Sequence, residues 1–226
     1  MTRSRLPSMA QAAAGLAALG RRFYDRGWVL GTSGNFSAVV SRRPVRLAIT
    51  ASSVHKGTLS RRQILEIDDR ARVCPASAGR SSAETLLHLE ILKIREAGAV
   101  LHTHSVWSTI LSDLHASPGG LAIQGFEMLK GLDGVTTHEH REWIPVVEND
   151  QDMSRLAANV RRVLGDHPTA HAFLIRRHGL YTWGRTIADA ERHVEILEFL
   201  FEAIAKENGH GFGENSSRGS DDSRRR

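Results

Sequence analysis

Cysteine is nearly absent: Cys74 is the only one among 226 residues, so no intrachain disulfide can staple this chain. That fits a reducing, cytoplasmic compartment, and Cys74 itself reads as a small half-buried hydrophobe. No apolar run reaches the roughly 20 residues that a bilayer span needs, so no membrane partner is expected. Arg3 and Arg5 are not followed by an apolar stretch, because residues 10–19 are rich in Ala and Gly and lead into Arg21 and Arg22; no secretory signal is read. Charge of one sign is also scarce. Thirty Lys and Arg against 25 Asp and Glu give +5, and Arg224, Arg225 and Arg226 supply three of those, leaving +2. This is too little for a basic nucleic-acid face. The fingerprint Gly-x-Gly-x-x-Gly is missing, which argues against a Rossmann dinucleotide site.

What is present is enough to bury a core without staples: 41% hydrophobic and 24% charged residues mark a soluble globular chain. One domain is expected over residues 1–208. Residues 209–226, rich in Gly, Ser and charge with only Phe212 apolar, read as a disordered tail. Helical spacing of Leu16, Leu19 and Phe23 predicts a helix over 7–26, and Leu87, Ile91 and Ile94 another after Ser81. Residues 105–115, 152–164 and 186–206 are the remaining helices. Strands are expected in two pieces around the Gly-rich turn 31–35, over 46–50, as a pair within 64–73 turning at 68–70, and over 99–101, 144–147, 170–175 and 180–183; residues 118–120 read as a turn. The pattern is α/β, one mixed or antiparallel sheet layered with helices.

Chemistry is expected where His102 and His104 end the apolar run 99–101. Residues i and i+2 of a strand share a face, so two imidazoles there can grip one divalent metal. His178 ends a second apolar strand, and Gly179 after it permits a tight turn that aims the ring inward. Three neutral imidazoles leave open positions for a substrate. The other nine of the 12 histidines, His140 and His171 among them, read as ordinary polar residues. The segments holding Ser33, Gly34 and Asn35, then Thr50, Ser52 and Ser53, then Ser81 and Ser82 offer N–H and O–H donors that can cradle a phosphate, and Lys56 can add charge. Glu84 falls three residues after Ser81, a capping-box spacing that accounts for it as a helix cap. Glu127 has apolar neighbours, which would raise its pKa if it is buried and suit it to proton transfer.

Together Gly31 to Ser37, Ile49 to Ser53, Ser81 to Glu84, His102 to Ser105 and His178 to Leu180 resemble the class II aldolase/adducin-type family, over about residues 9–206. The resemblance implies a single α/β domain with a central, largely antiparallel sheet, in a homo-oligomer, commonly a tetramer. It implies one zinc per subunit on His102, His104 and His178. Ser33, Gly34, Asn35, Thr50, Ser52, Ser53, Lys56, Ser81 and Ser82 would serve a small phosphorylated, sugar-like substrate. Glu84 matches the position of the aldolases' catalytic glutamate. Residues 125–132, 144–153 and 179–184 resemble a dehydratase branch, in which Glu127 is the acid/base. The usual Thr-Pro-Ser-Gly is here Thr50-Ala51-Ser52-Ser53, and the usual Asp before the lysine is His55. Dehydration is thus expected, with a sugar-phosphate aldolase or epimerase, or a non-enzymatic adducin-like interaction domain, as alternatives.

Overall fold

The computed structural model describes residues 6–214 of the chain. Its elements run α1 (Met9–Asp25), β1 (Asn35–Arg42), β2 (Val45–Thr50), β3 (Ile64–Asp68), α2 (Thr85–Arg95), β4 (Ala99–Thr103), α3 (Val106–Leu114), β5 (Gly120–Ile123), β6 (Glu142–Val147), α4 (Met153–Asp166), β7 (Ala172–Ile175), β8 (Gly179–Gly184) and α5 (Ile187–Glu214). The eight strands form one sheet in the order β3-β2-β1-β4-β8-β7-β6-β5. Only β6 and β7 run parallel; every other neighbouring pair is antiparallel. This is the expected α/β domain. Among the described residues no helix is long and apolar enough to cross a membrane.

Helices cover both faces, so the central strands β4 and β8 are buried along their whole length. Alternation decides which side each residue serves. Ala99 and Leu101 of β4 pack with Leu16, Leu19 and Phe23 of α1. Val100 points the other way, into the layer of Ile91 from α2 and Leu156 and Val160 from α4. α5 lies beside α1 and α3, with Leu197 and Leu200 in the cluster under β7 and β8. Ser8 starts α1 with a full capping box: its hydroxyl accepts from Gln11 N at 3.3 Å, and Gln11 Oε1 accepts from Ser8 N at 2.9 Å. Asp152 caps α4 by accepting from Ser154 N and Arg155 N.

Four expectations are corrected. Residues 28–34 are not a strand piece. Gly31 and Gly34 both take left-handed φ (62° and 70°), which breaks extended pairing, and β1 starts only at Asn35. The pair within 64–73 shrinks to β3 plus one bridge between Ile67 and Val73. Asp68 Oδ1 accepts from Arg70 N and Arg72 N, and these local bonds take donors that a strand ladder would need. Residues 120–123, read as the end of a turn and unassigned chain, form edge strand β5 on β6. The Ser81–Glu84 capping box does not form: α2 starts at Thr85, with no side-chain cap from Glu84. At the far end α5 continues to Glu214, past the boundary drawn at 208; the rest of the expected tail, 215–226, lies outside the described residues.

Candidate metal centre and anion pocket

Strand alternation builds the centre. Thr103 points toward α5, where its hydroxyl donates to Glu198 Oε1 at 3.0 Å. His102 and His104 therefore point together toward the N-terminus of α2. Pairing of β4 with β8 sets Thr103 opposite Leu180, so the turn before β8 delivers His178 to the same place. The three rings pack at centroid distances of 4.5–5.0 Å, and their ligand nitrogens lie within 4.8 Å of one another.

The tautomers suit a cation. His102 Nδ1 lies 2.9 Å from the carbonyl of Leu180, which can only accept, so Nδ1 carries the hydrogen and Nε2 keeps its lone pair. That Nε2 faces His104 Nε2 at 2.8 Å. Burial pushes His102 well below the usual imidazole range and His104 down to about 4, so both are neutral, as ligands must be. His178 Nδ1 is buried without a hydrogen-bond partner. The donor set fits a divalent metal of the zinc class.

Glu84 closes the group. Its Oε1 is 3.1 Å from His178 Nε2 and 3.7 Å from His102 Nε2. Burial alone would raise its pKa, but the imidazoles and the Asn35 amide, which donates to Oε2 at 2.5 Å, hold the carboxyl well below its usual range. Behind it runs a relay the sequence reading did not find: Asn35 Oδ1 to His88 Nε2 at 2.5 Å, and His88 Nδ1 to Ser37 Oγ at 2.8 Å. Burial lowers His88 to about 4, which keeps this ring neutral too. Tyr181 lies flat on His102, with centroids 3.9 Å apart, and Phe173 stacks on Tyr181 at 5.0 Å, so core packing fixes the ligand ring.

Beside Glu84 and His104 opens a cavity of about 170 Å³. Ser33, Gly34, Asn35, Ser52, Ser53, Lys56 and Ser82 line it. Gly34 is required there: a Cβ would meet His102 O at 2.6 Å. Ser53 holds the place where the family pattern has glycine, and it adopts glycine's left-handed backbone (φ 58°). Lys56 is 1% exposed and donates to Thr32 O and Val54 O at 3.1 and 3.0 Å, leaving a third N–H for an anion. Burial lowers its pKa to about 8, with Glu84 pulling the other way.

Several expected residues fall elsewhere. Thr50 is wholly buried, its hydroxyl accepting from Phe36 N at 3.1 Å, so it braces β1 rather than touching the cavity. Ser81 forms a strand-like bridge with Ala51 and is not in the lining. Asn35 is tied up with Glu84 and His88 although it reaches the cavity wall. Glu84 occupies the N-cap position of α2, but its side chain makes no cap bond and turns to the imidazoles instead. Glu127 is on an exposed 3₁₀ turn with its side chain 72% accessible, paired with Lys130 at 2.5 Å. That hydrogen bond lowers its pKa, opposite to the expected rise, because its apolar neighbours do not bury it.

Comparison with known proteins agrees with this geometry. Residues 14–205 match the family described as Class II Aldolase and Adducin N-terminal domain. The chain is 46% identical over 194 residues to a methylthioribulose-1-phosphate dehydratase of Marinobacter nauticus, covering 85% of this chain and 92% of the relative. It is 46% identical over 198 residues to the protein of the same name from Methylococcus capsulatus, covering 87% and 94%. Among solved structures, an L-fuculose 1-phosphate aldolase superposes with a TM-score of 0.74 at 20% identity, over 92% of this chain and 91% of the other.

Proposed function

Since the chain belongs to the class II aldolase and adducin family, we propose that it dehydrates 5-methylthioribulose 1-phosphate to 2,3-diketo-5-methylthiopentyl 1-phosphate, a lyase step of methionine salvage. The name shared by its 46%-identical relatives supports the reaction. The observation in the structure that carries it is the ionised Glu84 against the imidazoles of His102 and His178, on the wall of one cavity that it shares with His104 and the buried Lys56.

His102, His104 and His178 would hold one zinc ion per subunit, whose charge would stabilise the enediolate formed when the C3 proton leaves. The chain's own residues do the rest. Lys56, the hydroxyls of Ser52, Ser53 and Ser82 and the loop at Gly34 hold the phosphate. Binding energy from that end orients C3. That proton is acidic because it lies beside the C2 ketone. A carboxylate takes it, hydroxide leaves C4 with a proton, and the enol tautomerises to the diketone with net loss of water.

Two carboxylates compete for the proton. Position favours Glu84, with Asn35, His88 and Ser37 orienting it. The likeness of residues 125–132 to the dehydratase branch favours Glu127. Purified protein, analysed for metal, is assayed for the diketone with wild type, Glu84→Gln and Glu127→Gln. Carbon–carbon cleavage products in place of diketone would establish the aldolase reading, which shares this geometry. Absence of bound metal and of turnover in folded protein would overturn the dehydratase reading and revive the interaction domain.

The same reading includes a cytoplasmic homo-oligomer. Val106, Ile110 and Leu114 recur every fourth residue along α3 and are 62%, 42% and 57% exposed, an apolar stripe beside the centre. A second copy is its proposed cover.

A further inference from the structure

Among the described residues one other group brings histidine and carboxylate ligand atoms together: His140, Glu142 and His171, with those atoms within 4.8 Å of one another. We propose that it is a second site for a divalent transition-metal cation, held by His140 Nε2, Glu142 Oε2 and His171 Nδ1. The donor set, two imidazoles and one carboxylate, is one that zinc, cobalt and nickel accept.

The fold assembles it without help from the first site. Glu142 opens β6 and His171 directly precedes β7; the two strands are parallel neighbours, so their starts lie side by side. His140 stands two residues before Glu142. His178 follows the other end of β7, so the two groups sit at opposite ends of that strand.

The fold holds Glu142 and His171 in place. Glu142 is 1% exposed, so its carboxylate is fixed and desolvated. Its Oε1 accepts from His171 N at 3.0 Å. Its Oε2 faces both rings, His140 Nε2 at 2.8 Å and His171 Nδ1 at 2.9 Å. His171 Nε2 lies 2.8 Å from Asp133 O, an acceptor only, so the hydrogen of the neutral ring is on Nε2. The Nδ1 lone pair then points at a carboxylate oxygen, and something positive must lie between them: a proton or a metal. His102 is set in the same way by its bond to Leu180 O. A backbone carbonyl that fixes the far nitrogen of a ligand histidine is the usual support of such sites.

A further shell holds the support. His193 Nε2 accepts from Asp133 N at 3.1 Å, and His193 Nδ1 donates to Trp183 O at 2.8 Å. The Asp133 residue is thus gripped by an imidazole on its N–H and another on its carbonyl. His140 is 30% exposed, which gives the ion an entry path and leaves room for water in the open positions. Binding replaces the proton between His171 Nδ1 and Glu142 Oε2, and that proton goes to solvent. The ion would tie residues 133–142, which follow the turn bearing Glu127, to β6 and β7.

Calorimetric titration of chelator-stripped full-length protein with zinc chloride tests this. Wild type is expected to take two equivalents per chain in two classes. His140→Ala should take one, and His178→Ala should lose the first class while keeping the second. Circular dichroism checks that each variant is folded, and His140→Asn, which keeps a polar side chain, replaces His140→Ala if that one is not. Saturation of wild type at one equivalent lost in His178→Ala would overturn the proposal and leave the first site standing. So would a folded His140 variant that still binds two.

Discussion

Glu84 Oε1 and His178 Nε2 meet at 3.1 Å, which puts a carboxylate from the start of α2 against an imidazole from the turn before β8. Neither element is near the other in sequence. Their meeting makes Glu84 the group best placed to move a proton at the centre, so Glu84→Gln should lower kcat for diketone formation by about 100-fold to 10,000-fold. The amide keeps the Asn35 contact, so the fold should hold. Steady-state kinetics on methylthioribulose 1-phosphate reads the loss. A larger loss in Glu127→Gln than in Glu84→Gln would move the base to Glu127.

Removing the metal should abolish turnover. Dialysis against a chelator is expected to remove activity, and one equivalent of zinc at the first site to restore it. His178→Ala should not recover under the same zinc concentration. Elemental analysis beside the assay separates loss of metal from loss of fold. Full activity in chelated, metal-free protein would remove zinc from the mechanism.

If the cavity takes the phosphate as proposed, Lys56 should set a pH limit on its binding. Its pKa of about 8 means that the third N–H and the charge are present below pH 8 and fade above it. KM for the phosphorylated substrate, and the inhibition constant of inorganic phosphate, should rise as pH passes through 8. Lys56→Met should bind phosphate weakly at every pH, with that step gone. In stability the sign is opposite. Between about 8 and the ordinary lysine value the unfolded chain binds more protons than the folded one, so this group makes the fold more stable as pH rises.

Glu198 behaves in the reverse way. It is buried under Thr103, its Oε2 has no hydrogen-bond partner, and burial raises its pKa to about 7. The folded state therefore binds more protons than the unfolded state between the ordinary carboxyl value and about 7. Stability falls as pH rises through that window and levels off above it. Glu198→Gln should remove the slope and be more stable than wild type at pH 8, by roughly 3 kcal/mol at most. Thermal melts of both proteins from pH 4 to pH 9 would show it; parallel curves would mean that Glu198 is not the titrating group.

Gly179 is held by space, not by an unusual φ. A Cβ there would meet Thr103 O at 2.0 Å, so Gly179→Ala must push β8 off β4. The left-handed residue of this turn is Arg177, with φ 51°. Gly179→Ala is expected to cost about 3 kcal/mol, lowering Tm by on the order of 10 °C. Zinc affinity should fall with it, because β4, the strand that the new Cβ presses on, carries His102 and the displaced turn before β8 carries His178.

Much of this arrangement was legible in the residues. Strand periodicity put His102 and His104 on one face, and an apolar strand ending in His178 supplied the third ring. Hydroxyl-rich turns around Ser33, Ser52 and Ser82 marked the cavity. What sequence spacing could not show is where a side chain goes when two local explanations fit it. Glu84 has the spacing of a cap, yet tertiary partners outbid the local bond. Glu127 has apolar neighbours, yet the 3₁₀ turn buries Leu129 and leaves Glu127 in water. His88, His140 and His171 look like surface histidines because their partners, Asn35 and Glu142, are brought to them only by strand pairing or by the start of a strand.

Alternation along β4 has one more consequence. Side chains on a strand repeat every second residue, so a slip of one position against β8 would send Leu101 and Thr103 to the α2 side and turn both imidazoles into the layer under α5. Such a mispaired chain could bury a core of nearly the same size, but it could not present the His102–His104 pair. A metal ion captured at the centre would therefore certify that β4 and β8 have paired in the native alignment.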